Sequence, residues 1–315
     1  MKILVIRLSS IGDVILTTPV LRCLKSQLQH CELHFITKPL CGQLLQDNPY
    51  IDRLIEYDNS DPQRSMLRSE HYDCVVDLHN SHRSRSLRRA VASRSLVYRK
   101  ENFAKLILVL YKHDMMSGRH VVDRYFDAVS PLGVSNDGKG LQLSAFALPS
   151  VFTTDRPFVA IACGAQHETK RIPPSKIAYI ANSIGAPVVL LGDGNDRQRV
   201  EHLALSQNVV NLCGQTSLTE SAAIISRAAA VVTSDSAMMH VAAAYHRYVL
   251  AVWGCTSPRF GFWPYATSHT NYTVASLPCW PCRRMGTNRC PKGHFHCMMK
   301  QDYDAIVRQL KNILP

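Results

Sequence analysis

Two short stretches hold residues that could do chemistry. The first is Ser9-Ser10-Ile11-Gly12-Asp13, two hydroxyls, a glycine and a carboxylate placed directly after the apolar run from Lys2 to Leu8. A carboxylate on the first turn of a helix could accept a proton from an attacking hydroxyl. Gly12 lets the backbone come close to a ligand, and Ser9 and Ser10 offer it hydroxyls. The same residues also suit a plain helix start, with Ser9 or Ser10 as the cap and Asp13 complementing the dipole. The second stretch runs from Thr233 to Ala244, where a strand ends in Asp235 and a helix follows at once. The free N–H groups of Ser236 to Met238 would form an anion site that fits a nucleotide diphosphate. Ser236 adds a hydroxyl, and His240 lies one turn further along the same face. An ordinary N-cap at Asp235 is compatible with that use.

Both stretches need a strand-to-helix turn at the carboxyl end of a sheet, and the chain supplies the pattern for it. Apolar runs at 2–8, 32–38, 53–57, 74–78 and 95–99 alternate with segments of helical period in the first half. The helix expected over 14–28 contains Pro19, which should kink it or begin its regular part. Periodicity fades between Pro131 and Pro157, where glycine, proline and polar residues collect, and the boundary is placed near residue 150. Alternation resumes with strands at 158–162, 187–191, 209–212, 230–233 and 248–252, and helices from Pro174, Asp196, Ser217 and Ser236. Strand–helix alternation of this kind predicts an α/β fold with two Rossmann-like domains, each a doubly wound parallel sheet, and ligands at their carboxyl ends.

Other motifs are less specific. His79-Asn-Ser-His-Arg-Ser-Arg85 follows the fourth strand, and its guanidinium groups suit phosphate or carboxylate as well as a solvated helix start. Gly192 and Gly194 imitate a dinucleotide fingerprint, but Arg197 stands where the third glycine belongs, so no nicotinamide site is expected. Asp196 could hydrogen-bond a ribose or begin a helix. Cys279, Cys282, Cys290 and Cys297 are spaced C-x2-C-x7-C-x6-C, which suits a structural zinc ion, with His294 and His296 as substitutes; reduced thiols in a packed loop are the alternative. The other seven cysteines, such as Cys74 and Cys213, read as small core residues.

With 315 residues the chain can build two ordinary domains. A net charge of +12 favours polyanionic partners, whether nucleic acid, an acidic membrane face or a phosphorylated substrate. The basic residues are dispersed apart from a cluster at 83–94, and no nucleic-acid-binding motif is present. Ser9, Ser10 and Asp13 interrupt the first apolar run too early for a secretory signal, and no run is long enough to span a bilayer, so a cytoplasmic protein is expected.

The pattern Arg7-Leu-Ser-Ser-Ile-Gly-Asp13 followed by Thr17-Thr-Pro-Val20 resembles the N-terminal signature of glycosyltransferase family 9, which contains the ADP-heptose:lipopolysaccharide heptosyltransferases. The stretch 164–173 resembles the family's glycine-loop-Lys-Arg-Trp-Pro pattern, with Ile172 in place of tryptophan. The stretch 233–244 is similar to the family's Asp-Thr-Gly segment, with Ser236 keeping the hydroxyl and Ala237 adding a methyl group.

The resemblance implies a GT-B architecture with the two sheets facing a central cleft. Residues 1–150 would bind the acceptor, 151–300 the nucleotide sugar, and the helix of 301–315 would pack back on the first domain. It implies an inverting transfer in which Asp13 is the base and Lys170 meets the charge of the leaving group. Lys170, Asp196, Asp235, Ser236, Ala237 and His240 would bind the donor, ADP-heptose. Ser9, Ser10, Gly12, Arg83, Arg85, His120 and Arg124 would face an anionic lipopolysaccharide-core acceptor. No cofactor is required for catalysis on this reading, zinc would be structural only, and the enzyme would touch the inner face of the inner membrane without binding nucleic acid. A different sugar or acceptor, or a zinc-bearing nucleic-acid-binding protein, are the rival readings; the last leaves both loop signatures unexplained.

Overall fold

The computed structural model describes residues 1–91, 94–154 and 156–314. They form two compact units: residues 1–101 with 119–144, and residues 102–118 with 145 to the C-terminus. The division falls near 144, and the segment 102–118 belongs with the second unit although first-unit sequence flanks it.

Unit 1 holds strands β1 (Lys2–Ile6), β2 (Glu32–Thr37), β3 (Arg53–Glu56), β4 (Cys74–Asp77) and β5 (Ser95–Val97). They run parallel in the order β3-β2-β1-β4-β5. β1 is central and buried, which is why it reads as an unbroken apolar run. The helical period after it resolves into two helices, Ile11–Ile15 and Thr18–Gln27, with Pro19 in the first turn of the second. Proline is tolerated there because that N–H needs no helical partner.

Unit 2 holds β6 (Val159–Ala162), β7 (Val188–Leu191), β8 (Val209–Asn211), β9 (Ala230–Ser234), β10 (Tyr248–Val252) and β11 (His269–Tyr272). Their order is β11-β10-β9-β6-β7-β8, all parallel. β11 was not expected: His-Thr-Asn-Tyr has no apolar alternation, and it survives as a half-buried edge strand.

In the C-terminal helix Tyr303–Ile313, Ile306, Val307 and Leu310 enter the core of unit 2 beside Ile177 and Ile180 of the helix Pro174–Ser183. The seven scattered cysteines are buried, and all eleven are free thiols. Among the described residues no helix is long and apolar enough to cross a membrane.

Candidate functional site

In unit 1 the strand order reverses between β1 and β4, so the ligand crevice of that sheet lies where these two strands end. Asp13 stands just past the end of β1 on the helix Ile11–Ile15, with its side chain 21% exposed. Arg7 Nη2 lies 2.8 Å from Asp13 Oδ1, and Arg7 Nη1 donates to the Leu78 carbonyl at 2.6 Å. The guanidinium sits 5.9 Å over the Tyr125 ring, which holds its position. The Ser10 hydroxyl and N–H donate to Asp13 Oδ2 at 2.8 and 3.2 Å. Helix capping and a crevice carboxylate therefore coexist in the same residues. Burial pushes the Asp13 carboxyl up, but the Arg7 charge and the Ser10 donors outweigh it and hold the group at about 2.

His79, at the end of β4, is the residue that the sequence reading left without a role. Asp77 Oδ1 accepts from the N–H groups of His79 and Asn80 at 3.0 and 2.7 Å, which curls the loop. Burial first, then the charges of Arg7 and Lys100, push the imidazole down to about 4, so it is neutral at pH 7. Its Nδ1 is buried with no hydrogen-bond partner among the described residues. Its place directly after a central strand was the available signal.

Of the expected acceptor contacts, Ser9 is half-buried, Ser10 exposed and Gly12 buried at the first turn. Arg83 and Arg85 are exposed at the start of the helix His82–Val91. His120 and Arg124 belong to the helix Val121–Val129 and its cap. His120 is buried, and its Nδ1 accepts from the Val122 N–H as the cap of the helix Val121–Val129. Arg124 is buried with Nη1 2.7 Å from Glu101 and its guanidinium over Tyr98.

In unit 2 the order reverses between β6 and β9, and again the two expected loops emerge there. Lys170 Nζ lies 2.7 Å from Asp235 Oδ2, and the Thr256 hydroxyl donates to the same oxygen at 2.7 Å. Thr256, in the loop after β10, was not singled out by sequence. Ser236 is the N-cap of the helix Ala237–Ala244, yet its side chain makes no cap bond and pairs instead with the Thr233 hydroxyl at 3.1 Å. The first-turn N–H groups are thus left for a ligand. His240 is buried on the same helix.

The loop that carries Lys170 is pinned from two sides. Thr169 exchanges hydrogen bonds with Thr287 through backbone and hydroxyl, and its carbonyl accepts from the Cys255 N–H. Gly254 permits this approach, because a Cβ there would run into the Thr169 carbonyl oxygen. Gly286 does the same beneath the His167 side chain. The segment between Cys279 and Cys297 therefore buttresses the lysine loop. Cys279 Sγ and His294 Nε2 are 3.8 Å apart, but among the described residues no three His, Cys, Asp or Glu side chains come together to hold a metal ion. The expected zinc set does not fit as placed, and no chemistry is derived from it.

Asp196 is buried. Its side chain is 3% exposed, and its Oδ2 accepts from the Asp193 N–H while Asp193 caps Asp196 in return. It packs under Gly164 and Gly192, where a Cβ would collide with it, and stands 3.5 Å from Arg199 Nη1. It shapes the two loops from below and has no exposed edge to offer a ribose. Burial, ahead of the nearby charges, pushes its carboxyl up.

Two doubly wound parallel sheets, each with charged side chains at its switch point, define a protein of the GT-B class. The model of "Glycosyltransferase family 9 (heptosyltransferase)" matches residues 63–292, and the chain belongs to that family and is a glycosyltransferase. It is 28% identical over 298 residues to lipooligosaccharide heptosyltransferase 2 of Haemophilus influenzae, covering 82% of this chain and 85% of that one. Its fold matches a family 9 glycosyl transferase from Veillonella parvula with a TM-score of 0.77 at 21% identity, over 99% and 96% of the two chains. It also matches the ADP-heptose lipopolysaccharide heptosyltransferase II of E. coli with a TM-score of 0.74 at 22% identity, over 99% and 98%. Family membership sets aside the nucleic-acid-binding rival.

Proposed function

We propose that this enzyme moves a heptose from ADP-heptose to a hydroxyl of a lipopolysaccharide inner core, with inversion at the anomeric carbon. Unit 2 binds the donor through Lys170, Asp235, Ser236, Ala237 and His240. Unit 1 binds the anionic glycolipid through Ser9, Ser10, Gly12, Arg83 and Arg85. Asp13 takes the proton of the attacking hydroxyl as its oxygen bonds to the anomeric carbon. The bond from that carbon to the diphosphate oxygen breaks, and ADP leaves with the electron pair. Lys170 and the open N–H groups at Ala237 and Met238 meet the charge that develops on the diphosphate.

A glycosidase needs a second carboxyl group to protonate its leaving group. A nucleoside diphosphate leaves unprotonated, so one carboxylate suffices, and Lys170 with the helix end supplies the countercharge otherwise asked of a metal. The observation that carries this reading is the pairing of Lys170 with Asp235 beside an uncapped helix at a switch point. The names of the family relatives support the choice of sugar and acceptor. The protein acts from the cytoplasm, in peripheral contact with the inner membrane.

The test is to offer the purified enzyme a panel of nucleotide sugars with a heptose-free lipid A core. The product is weighed by mass spectrometry and its new anomeric centre assigned by NMR. One heptose added from ADP-heptose, with inverted configuration, is expected. Transfer from another donor only, or retention, would overturn the corresponding part.

A further inference from the structure

We infer that the helix Asn102–Tyr111, with the basic loop it rests on, is a docking surface for an anionic phospholipid bilayer. This extends the proposed peripheral membrane contact by naming the surface that makes it.

The helix reads Asn-Phe-Ala-Lys-Leu-Ile-Leu-Val-Leu-Tyr, one charge among ten residues, yet only Leu108 is buried. Phe103, Leu110 and Tyr111 are 69%, 60% and 71% exposed, and Met115 just beyond is 54% exposed. Phe103, Leu110 and Tyr111 are spaced i, i+7 and i+8, which puts them on one face. A soluble protein ordinarily turns such a face inward; here it points to solvent. At about 15 Å the helix is too short to span a bilayer, and its geometry suits lying in the headgroup plane.

The surroundings identify the partner. The Lys112 ammonium donates to the carbonyls of Val109, Cys279 and Pro281, tying the end of the helix to the loop that follows Cys279. Asp114 pairs with Arg259, and Lys105 sits over the Phe262 ring at 4.5 Å, so the segment is seated on unit 2. The tethered loop presents Met285, 67% exposed, among the exposed Arg283, Arg284, Arg289 and Lys292. Among the described residues none of these four cations is in an ion pair. No Asp or Glu occurs anywhere between Asp235 and Asp302. An apolar helix face tethered to a loop that carries four exposed cations and no carboxylate matches an acidic lipid surface, where the apolar residues enter the acyl boundary and the cations meet phosphates. A self-associating surface would lack the need for that one-sided charge.

The experiment is co-sedimentation of the full chain with vesicles of phosphatidylethanolamine and phosphatidylglycerol, against vesicles of phosphatidylcholine alone. The wild type should bind the acidic vesicles, and more weakly at high salt. Leu110→Glu/Tyr111→Glu should weaken binding by about tenfold or more. Arg283→Ala/Arg284→Ala should weaken it on acidic vesicles while leaving binding to neutral ones unchanged. Val210→Glu, at an exposed apolar site on the strand β8, should change nothing. Circular dichroism should match the wild type in each variant, and so should transfer to a deacylated, water-soluble acceptor by Leu110→Glu/Tyr111→Glu and Val210→Glu. Absence of vesicle binding by the wild type, or equal binding by Leu110→Glu/Tyr111→Glu, overturns the docking surface. So does concentration-dependent self-association that this variant abolishes without any vesicle binding. Loss of transfer to the soluble acceptor by the wild type would instead overturn the heptosyl reading and leave docking standing.

Discussion

Asp13 shares its carboxylate between Arg7 Nη2 at 2.8 Å and the Ser10 hydroxyl at 2.8 Å, so the proposed base is held by its own strand and by its own helix start. The group is ionised at any working pH and weak as a base in isolation. Its usefulness must come from position: it can take a proton only as the attacking oxygen loses its electron pair to the anomeric carbon.

Asp13→Asn should lower kcat by about a hundredfold or more with donor affinity within about twofold of the wild type. Turnover with several ADP-heptose concentrations and calorimetry with ADP measure the two separately. Near-normal kcat would remove Asp13 from the base role.

The depressed Asp13 value sets a pH test. Its folded-state value of about 2 lies below its unfolded one, so its contribution to stability is complete above about pH 4 and is lost as pH falls through about 2. From about pH 5 to pH 8 this group should impose no acid limb on kcat/KM. Arg7→Met leaves the burial penalty opposed by the Ser10 donors alone, and the acid limb should rise by about one to three pH units. An unchanged profile in a folded variant would mean that Arg7 does not set the ionisation.

Lys170→Met should lower kcat by about a hundredfold, because leaving-group charge is lost where it develops. Lys170→Arg should restore part of it. Its partner at 2.7 Å, Asp235, holds the ammonium at the end of β9, and Asp235→Asn should weaken ADP binding as well as turnover. Initial rates and ADP calorimetry distinguish the two effects.

Gly254→Ala should impair catalysis from outside the charged cluster. The added methyl would push on the Thr169 carbonyl and displace the loop of Lys170, at a cost of about 1–3 kcal/mol in stability. Urea unfolding and kcat should fall together. Wild-type kinetics would show that the loop yields elsewhere.

Asp196→Ala should act on stability and not on the donor. Removing the buried carboxylate leaves the Asp193 N–H without its acceptor and Arg171 and Arg199 with Glu168 alone, at about 1–3 kcal/mol. Donor KM in the folded fraction should be unchanged. A selective rise in KM at wild-type stability would return Asp196 to the ribose.

The chain's own order of residues determined most of the framework. Ten of the eleven strands among the described residues were legible: the central ones because a strand buried on both faces of a parallel sheet must be apolar, and the edge strands β3, β5 and β8 because each keeps a pair of adjacent apolar residues. The two candidate site loops were legible because a strand that runs straight into a polar helix start can lie only at a carboxyl edge. β11, the edge strand His-Thr-Asn-Tyr, was not legible, since it lacks even the adjacent apolar pair that marks the other edges. Nor were the fates of His120, Arg124 and Asp196: a polar side chain near a ligand edge looks the same in sequence whether it faces a ligand or caps a helix beneath it. Only packing decided that Tyr303–Ile313 belongs to unit 2, that His79 and Thr256 join the charged clusters, and that the cysteine segment steadies Lys170. Those outcomes rest on contacts between residues tens to more than a hundred positions apart, which no local pattern encodes.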